Sequence, residues 1–184
     1  IAVHPHTGEL FFNNQVNGYI YQYTGEGDIP YKALFQVNNS EDTELRLLFS
    51  PDGKTLYIVV RNKHCIYKAD YHEYNKQSSH PVLWIGEWGK AGYINEYGRK
   101  ARLNNPGQPA LDSNNNLYIP DKDNHCIRKI TPNGEVSLVS GNPLESGYKN
   151  GEFKDALFNT PEAVIFFDEN LLYVAERDNH CIRC

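Results

Sequence analysis

The chain contains no methionine in 184 residues and only two tryptophans. No apolar run approaches the roughly 18 residues that a membrane-crossing helix needs. Lysines and arginines are scattered rather than gathered in runs, and the formal charge is -5. Scattered cations on an acidic chain exclude nucleic acid as the expected partner, because neutralising phosphates takes a concentrated basic patch. The chain also lacks a nucleophile elbow, a phosphate-cradling glycine loop, an HExxH pair and any metal-spaced cysteine pair. The missing methionine, with an opening directly in a strand pattern, leads to the expectation of a segment of a longer chain, or of a chain from which methionines are omitted.

Repetition is what the sequence has in abundance. LYIPDKDNHCIRKI at 117–130 returns as LYVAERDNHCIR at 172–183, and a third copy, LYIVVRNKHCIYKA, occupies 56–69. The last two copies align without a gap at an offset of 55 residues. The match extends upstream, where Gly92, Tyr93, Asn95, Ala101, Asn104 and Pro106 recur as Gly147, Tyr148, Asn150, Ala156, Asn159 and Pro161. One unit of this size cannot bury both of its faces, so consecutive copies must stack.

Within each copy, short alternating or apolar runs are separated by turn residues, the pattern of antiparallel strands. The runs are 1–4, 9–12, 18–23 and 32–37 in the first unit, and 45–49, 55–60, 64–69 and 82–87 in the second. In the third they are 108–112, 117–120, 125–130 and 136–140. The punctuation at 113–116, 121–124 and 131–134 is rich in residues that close Asx-turns or accept a left-handed backbone. Four-stranded units of about 40 to 50 residues predict an all-β propeller of antiparallel blades. The blades fall at about 1–37, 45–87, 106–140 and 161–184, the last stopping inside its third strand, so about three and three-quarter blades are present.

The series P-x-x-A/V, L-Y-V/I and D-x-D-N-H-x-I-R resembles the NHL repeat over nearly the whole chain, most closely from Gly86 onward. The resemblance implies a six-bladed ring of which this chain supplies a part. The segments 86–106 and 140–161 are similar to the long loops that join NHL blades in bacterial surface proteins, where a propeller follows an IPT/TIG domain. By that resemblance alone the chain is expected to be extracytoplasmic, at the cell surface or in the periplasm, with further blades and domains in its parent.

Propeller geometry places the turns between second and third strands on the same face as the interblade loops, and loops on a rigid scaffold are where binding residues concentrate. The ligand-binding candidates there are Trp88, Tyr97, Arg99 and Arg102 from one loop, with Asp121, His125, Glu176 and His180 from the repeated turns. Exposed aromatics beside polar forks suit stacking on sugar rings or anchoring a protein. Trp88 and Tyr97 lack repeat counterparts, since Pro143 and Glu152 stand at the equivalent positions.

Structural roles compete for the repeated residues. Asp123, Asn124, Asp178 and Asn179 are expected to bond their own turns, and His64, His125 and His180 to serve the repeat rather than a metal. Tyr93 and Tyr148, with Ala101, Leu103, Ala156 and Phe158, are expected to plug between blades. His4, His6, His72 and His80 are expected to be solvated. Cys65, Cys126 and Cys181 occupy one repeat position in successive blades and read as buried thiols rather than disulfide partners or zinc ligands. Cys184 has no repeat partner and no assigned role, and Asn38-Asn39-Ser40 is a glycosylation sequon by pattern.

The function expected from these features is a non-enzymatic module that presents a loop-rich face to a glycan or protein. The alternative is a hydrolase or lyase with a divalent metal at the central channel. Such an enzyme needs several polar side chains on the inner strands, and IAVH, LRLLFS, QPALDS and AVIFFD offer only Arg46, Gln108 and Glu162. Binding is therefore favoured over catalysis, with no catalytic residue and no cofactor expected. A third reading, a structural spacer, would show neither ligand nor metal.

Overall fold

The computed structural model describes residues 1–25, 27–39, 43–72, 77–143, 145–168 and 171–184. Its strands form four antiparallel sheets, each in sequence order. The first sheet holds β1 (Ala2–Val3), β2 (Leu10–Asn13), β3 (Tyr19–Tyr23) and β4 (Tyr31–Gln36). The second holds β5 (Leu45–Phe49), β6 (Thr55–Val60) and β7 (Cys65–His72), with β8 (Gln77–Ser78) and β9 (Val82–Ile85) both pairing with β7. The third holds β10 (Ala110–Leu111), β11 (Leu117–Asp121), β12 (Cys126–Ile130) and β13 (Val136–Ser140). The fourth holds β14 (Pro161–Asp168), β15 (Leu171–Glu176) and β16 (Cys181–Arg183). Ser40 of the sequon and residues 73–76, in the long connection between the third and fourth runs of the second unit, lie outside the described residues.

Turn chemistry explains the meander. In the second and third sheets a 3-10 turn (Arg61–Lys63, Lys122–Asn124) joins the second strand to the third and ends on a left-handed residue. That residue is His64 (φ 57°) and His125 (φ 52°), with His180 (φ 52°) and Gly18 (φ 66°) at the matching positions of the fourth and first sheets. The sequence pattern starts these strands at the histidine, but they begin one residue later at Cys65, Cys126 and Cys181, because a left-handed residue cannot join the ladder. The left-handed conformation costs a non-glycine residue about 1 kcal/mol. Histidine offsets that cost with a bond glycine cannot make: Nδ1 of His64 accepts from the Asn105 amide at 2.9 Å, and Nδ1 of His125 from the Thr160 amide at 3.3 Å.

On the opposite face a polar side chain organises the turn from first to second strand. Asp112 Oδ1 accepts from the amides of Asn114 and Asn116 at 3.0 and 2.8 Å, and the Ser50 hydroxyl accepts from Thr55 at 2.9 Å. His4 holds this place in the first sheet, its Nδ1 accepting from the amides of His6 and Thr7 while its Nε2 bonds the Gly53 carbonyl at 3.0 Å. The expectation that His4 is solvated is corrected by this arrangement, in which the ring is fully buried and pins the first sheet to the second.

Three apolar clusters fill the three gaps between successive sheets. Phe11, Ile20, Leu47 and Ile58 meet in the first, Ile66, Ile85, Leu103 and Ile119 in the second, and Ile127, Phe158, Val164 and Val174 in the third. Each fully buried aliphatic side chain contributes roughly 1.5–3 kcal/mol relative to exposure. The interblade residues Ala101, Leu103, Ala156 and Phe158 are buried in these gaps as the repeat pattern requires. The inner strands of the third and fourth sheets run side by side through a parallel bridge between Gln108 and Ala163. Gly107 permits this approach, since a Cβ there would collide with the Glu162 carbonyl.

Cys65 and Cys126 are buried free thiols, and burial pushes Cys65 up to about 12 and raises Cys126 as well. Cys184 is exposed. Alkylation of the native chain at pH 8, read by peptide mass spectrometry, should label Cys184 and leave Cys65 and Cys126 unmodified until denaturant is added. Labelling of Cys126 as fast as Cys184 in the native state would contradict the packed gaps between sheets.

Candidate functional site

The first strands of the four sheets line a common axial cavity of about 480 Å³, with apolar walls that include Ala2, Leu47, Ala110, Val164 and Phe166, and with Pro5, Ser50 and Pro51 of the first-to-second-strand turns at its end on the opposite face. Gln108 belongs to the same lining, and its backbone N–H donates to the Glu162 carbonyl at 2.9 Å. Beside this inner lining, on the side of the left-handed turns, three cations converge on one carboxylate. Arg61 Nη2 lies 2.9 Å from Glu162 Oε1, Lys122 Nζ lies 3.0 Å from Oε2, and Arg46 Nη2 stands 3.8 Å from Oε1.

The elements that place these groups follow from the repeat. Arg61 and Lys122 each open the 3-10 turn after the second strand of their sheet, so they occupy one repeat position in adjacent blades. Arg46 comes from β5 and Glu162 from β14, the innermost strands of the second and fourth sheets. Arg61 and Lys122 are both 6% exposed, whereas the side chains of Arg46 and Glu162 are about one-third exposed. Among the described residues Glu44 is a second anion on Arg61, at 3.8 Å from Nη1, and Arg61 Nε is buried without a hydrogen-bond partner. Burial and then the charge of Arg61 hold Arg46 below the ordinary guanidinium value, with Glu162 opposing.

Arg177 occupies the same repeat position in the fourth sheet but turns outward to Asp178, at 2.8 Å. The hydrogen bonds from Arg177 and Thr160 hold Asp178 down to about 2. The sequence carried a signal for this site, a cation at one position of three repeat copies. That signal is absent from the residue set singled out by motif, because only the ring geometry brings Glu162 among them.

The residues expected to bind ligand are dispersed. Asp121 is fully buried: Oδ2 accepts from Arg128 Nη1 at 2.6 Å and from Asn124 at 2.9 Å, while Oδ1 accepts from the Asn104 amide at 2.6 Å. Arg128 is buried with it and donates onward to the Ile94 carbonyl and Asn95 Oδ1, with its guanidinium 4.4 Å from the Tyr93 ring centre. Burial pushes the Asp121 carboxyl up to about 6, against the pull of the Arg128 charge. Glu176 repeats the arrangement, accepting from the Asn159 amide and Asn179 at 2.7 Å each and from Arg183 at 3.0 Å. Asp121 and Glu176 are thereby withdrawn from the loop face and tie each turn to the interblade loop over it.

The remaining expected residues fall into separate settings. His125 is committed to Thr160, and His180 is exposed. Trp88 is half-buried against the first gap, edge-on to Tyr67 at 6.3 Å. Tyr97 is 53% exposed but bridges to Glu135 beside β13, which sets it at the outer rim, where the Glu135 charge raises its phenol. Arg102 is half-buried, its guanidinium shared by Glu87 and the carbonyls of Arg99 and Ala101, while Arg99 is exposed. Trp88 and Tyr97 therefore pack at different places and form no common platform. Tyr148, expected to plug between blades like Tyr93, is 64% exposed beside Arg183. Among the described residues no group of three or more His, Cys, Asp or Glu side chains is placed to hold a metal ion.

No family model matches the chain. It is 39% identical over 79 residues to NHL repeat-containing protein 2 of Gallus gallus, covering 42% of this chain and 11% of that protein. An auxiliary nutrient binding protein from Bacteroides thetaiotaomicron superposes with a TM-score of 0.88 at 31% identity, covering 98% of this chain and 45% of that one. A periplasmic gluconolactonase of Pseudomonas aeruginosa superposes with a TM-score of 0.61 at 16% identity, covering 96% of this chain and 46% of that one, which shows a shared fold alone. The chain thus spans under half of these solved structures and about a tenth of the curated relative.

Truncating Asp121 strands a buried guanidinium. Asp121→Ala should destabilise the chain by about 3–5 kcal/mol in urea denaturation. Glu176→Ala should cost less, because Arg183 is partly solvated. A loss below about 1 kcal/mol for Asp121→Ala would show that this buried pair does not hold the turn to the loop.

Proposed function

We propose that this chain, an NHL-repeat β-propeller, is a non-catalytic ligand-binding module whose ligand, a glycan or a protein segment, docks on the face carrying the left-handed turns and interblade loops. The observation that carries this reading is the convergence of Arg46, Arg61, Lys122 and Glu162 at the loop-face end of the inner strands whose apolar residues line the axial cavity. Concave apolar surface with a few oriented polar groups is the usual form of a ligand site. The name of the Bacteroides protein, an auxiliary nutrient binding protein, supports the same reading. In this proposal the four blades belong to a six-bladed ring in an extracytoplasmic parent with further domains.

A glycan array probed with the labelled protein, followed by calorimetry on the best hits, tests the reading. Saturable binding is expected, weakened about tenfold, or roughly 1.4 kcal/mol, by Arg46→Ala and unchanged by Tyr97→Ala at the outer rim. Turnover of lactones or esters with an added divalent cation, without saccharide or peptide binding, would overturn it in favour of a propeller hydrolase or lyase.

A further inference from the structure

Among the described residues three cations, Arg46, Arg61 and Lys122, bear on the one carboxylate of Glu162. Glu44 sits 3.8 Å away on the far amino group of Arg61, and Asp178, paired with Arg177, also feels the charge of Lys122. Arg61 and Lys122 are more than nine-tenths buried, so water screens them poorly. Arg61 also keeps a buried Nε with no partner among the described residues, and Nε forms, with the Nη2 that Glu162 occupies, an edge able to hold a carboxylate through two parallel bonds. Glu162 engages that edge at one point and is itself about one-third exposed. Immediately inward lie Gln108 and the apolar wall of Leu47, Ala110 and Val164.

We propose that this inner end of the loop face receives a carboxylate borne by the ligand, and that Glu162 is an internal stand-in which swings aside to yield Arg46, Arg61 and Lys122 to it. This rests on the binding-module reading and names the ligand class for the same site: an organic acid with a compact body that lies along the apolar wall. A free short-chain acid and the terminal uronate of a glycan present the same group. Because one carboxylate replaces another, the exchange is nearly balanced in charge, and affinity is set by how readily Glu162 leaves. Removing the charge of Glu162 therefore tightens binding, the reverse of what a residue that contacts ligand directly would show.

Calorimetric titrations with glucuronate, glucose and succinate, on wild-type protein and on Glu162→Gln and Arg46→Ala, test this. Glucuronate or succinate should bind while glucose does not, Glu162→Gln should tighten the acid about tenfold, and Arg46→Ala should weaken it about tenfold. Arg46 is chosen because it is partly exposed and its loss spares the buried Arg61. A preference for succinate identifies a free acid as the source, and a preference for glucuronate or an oligosaccharide ending in it identifies a glycan; both support the inference. Equal binding of glucose and glucuronate, or weaker acid binding by Glu162→Gln, would overturn the inference and leave the binding module standing. Failure of every acid here would overturn the inference, and an empty glycan array together with no saturable binding in a peptide array would remove the binding module as well.

Discussion

The face of each sheet that points at the next sheet is the constraint on which everything else rests. A four-stranded meander has two apolar faces and can cover neither alone, so Ile20 needs Leu47, Ile66 needs Leu103, and Ile127 needs Phe158. The requirement is met by stacking, and stacking forces the first strand of every sheet toward a common axis. The axial cavity is thus a by-product of how the repeat hides its apolar surface. Its polar groups inherit their positions from the same geometry: a side chain that opens the turn of one blade arrives beside the inner strand of another.

Polar bonds set the registry that apolar contact leaves free. Dispersion and burial are tolerant of small rotations between sheets, whereas the Asp121–Arg128 pair and its bonds to Asn104, Ile94 and Asn95 accept one geometry. His64 and His125 do the same from the neighbouring position by accepting a backbone amide of the following loop. The repeated residues that look most chemical in the sequence are therefore spent on holding blades and loops in place. Arg61 and Lys122 differ from these residues in reaching across the ring to a carboxylate of the fourth sheet, Glu162.

Departures from the repeat are informative about how much each position demands. In the first sheet Gly18 replaces the left-handed histidine, and His4 takes the turn-organising place filled by Ser50 and Asp112 elsewhere. Different side chains serve one backbone need, an acceptor for two turn amides or tolerance of a positive φ. Arg177 shows the converse, since it keeps the repeat's cation but pairs with the adjacent Asp178 and leaves the axis to Arg61 and Lys122. Solvated and axial outcomes for the same residue column differ only by which carboxylate is nearest.

By itself the sequence determined the all-β class, the four units, the turn positions and the burial of Ala101, Leu103, Ala156 and Phe158 in the gaps, though not the exposure of Tyr148, because period-two alternation, turn residues and the 55-residue offset are local properties of the chain. It also contained Arg61 and Lys122 in one repeat column, though nothing local marks them as a site. The tertiary structure decided the rest. It buried Asp121 and Glu176 against arginines seven residues away, turned His4 inward onto Gly53, and set Trp88 and Tyr97 at different places. It placed Glu162 beside a guanidinium about a hundred residues earlier in the chain. Such pairings depend on the relative placement of whole sheets, which the packing of three apolar gaps sets and no stretch of sequence encodes alone.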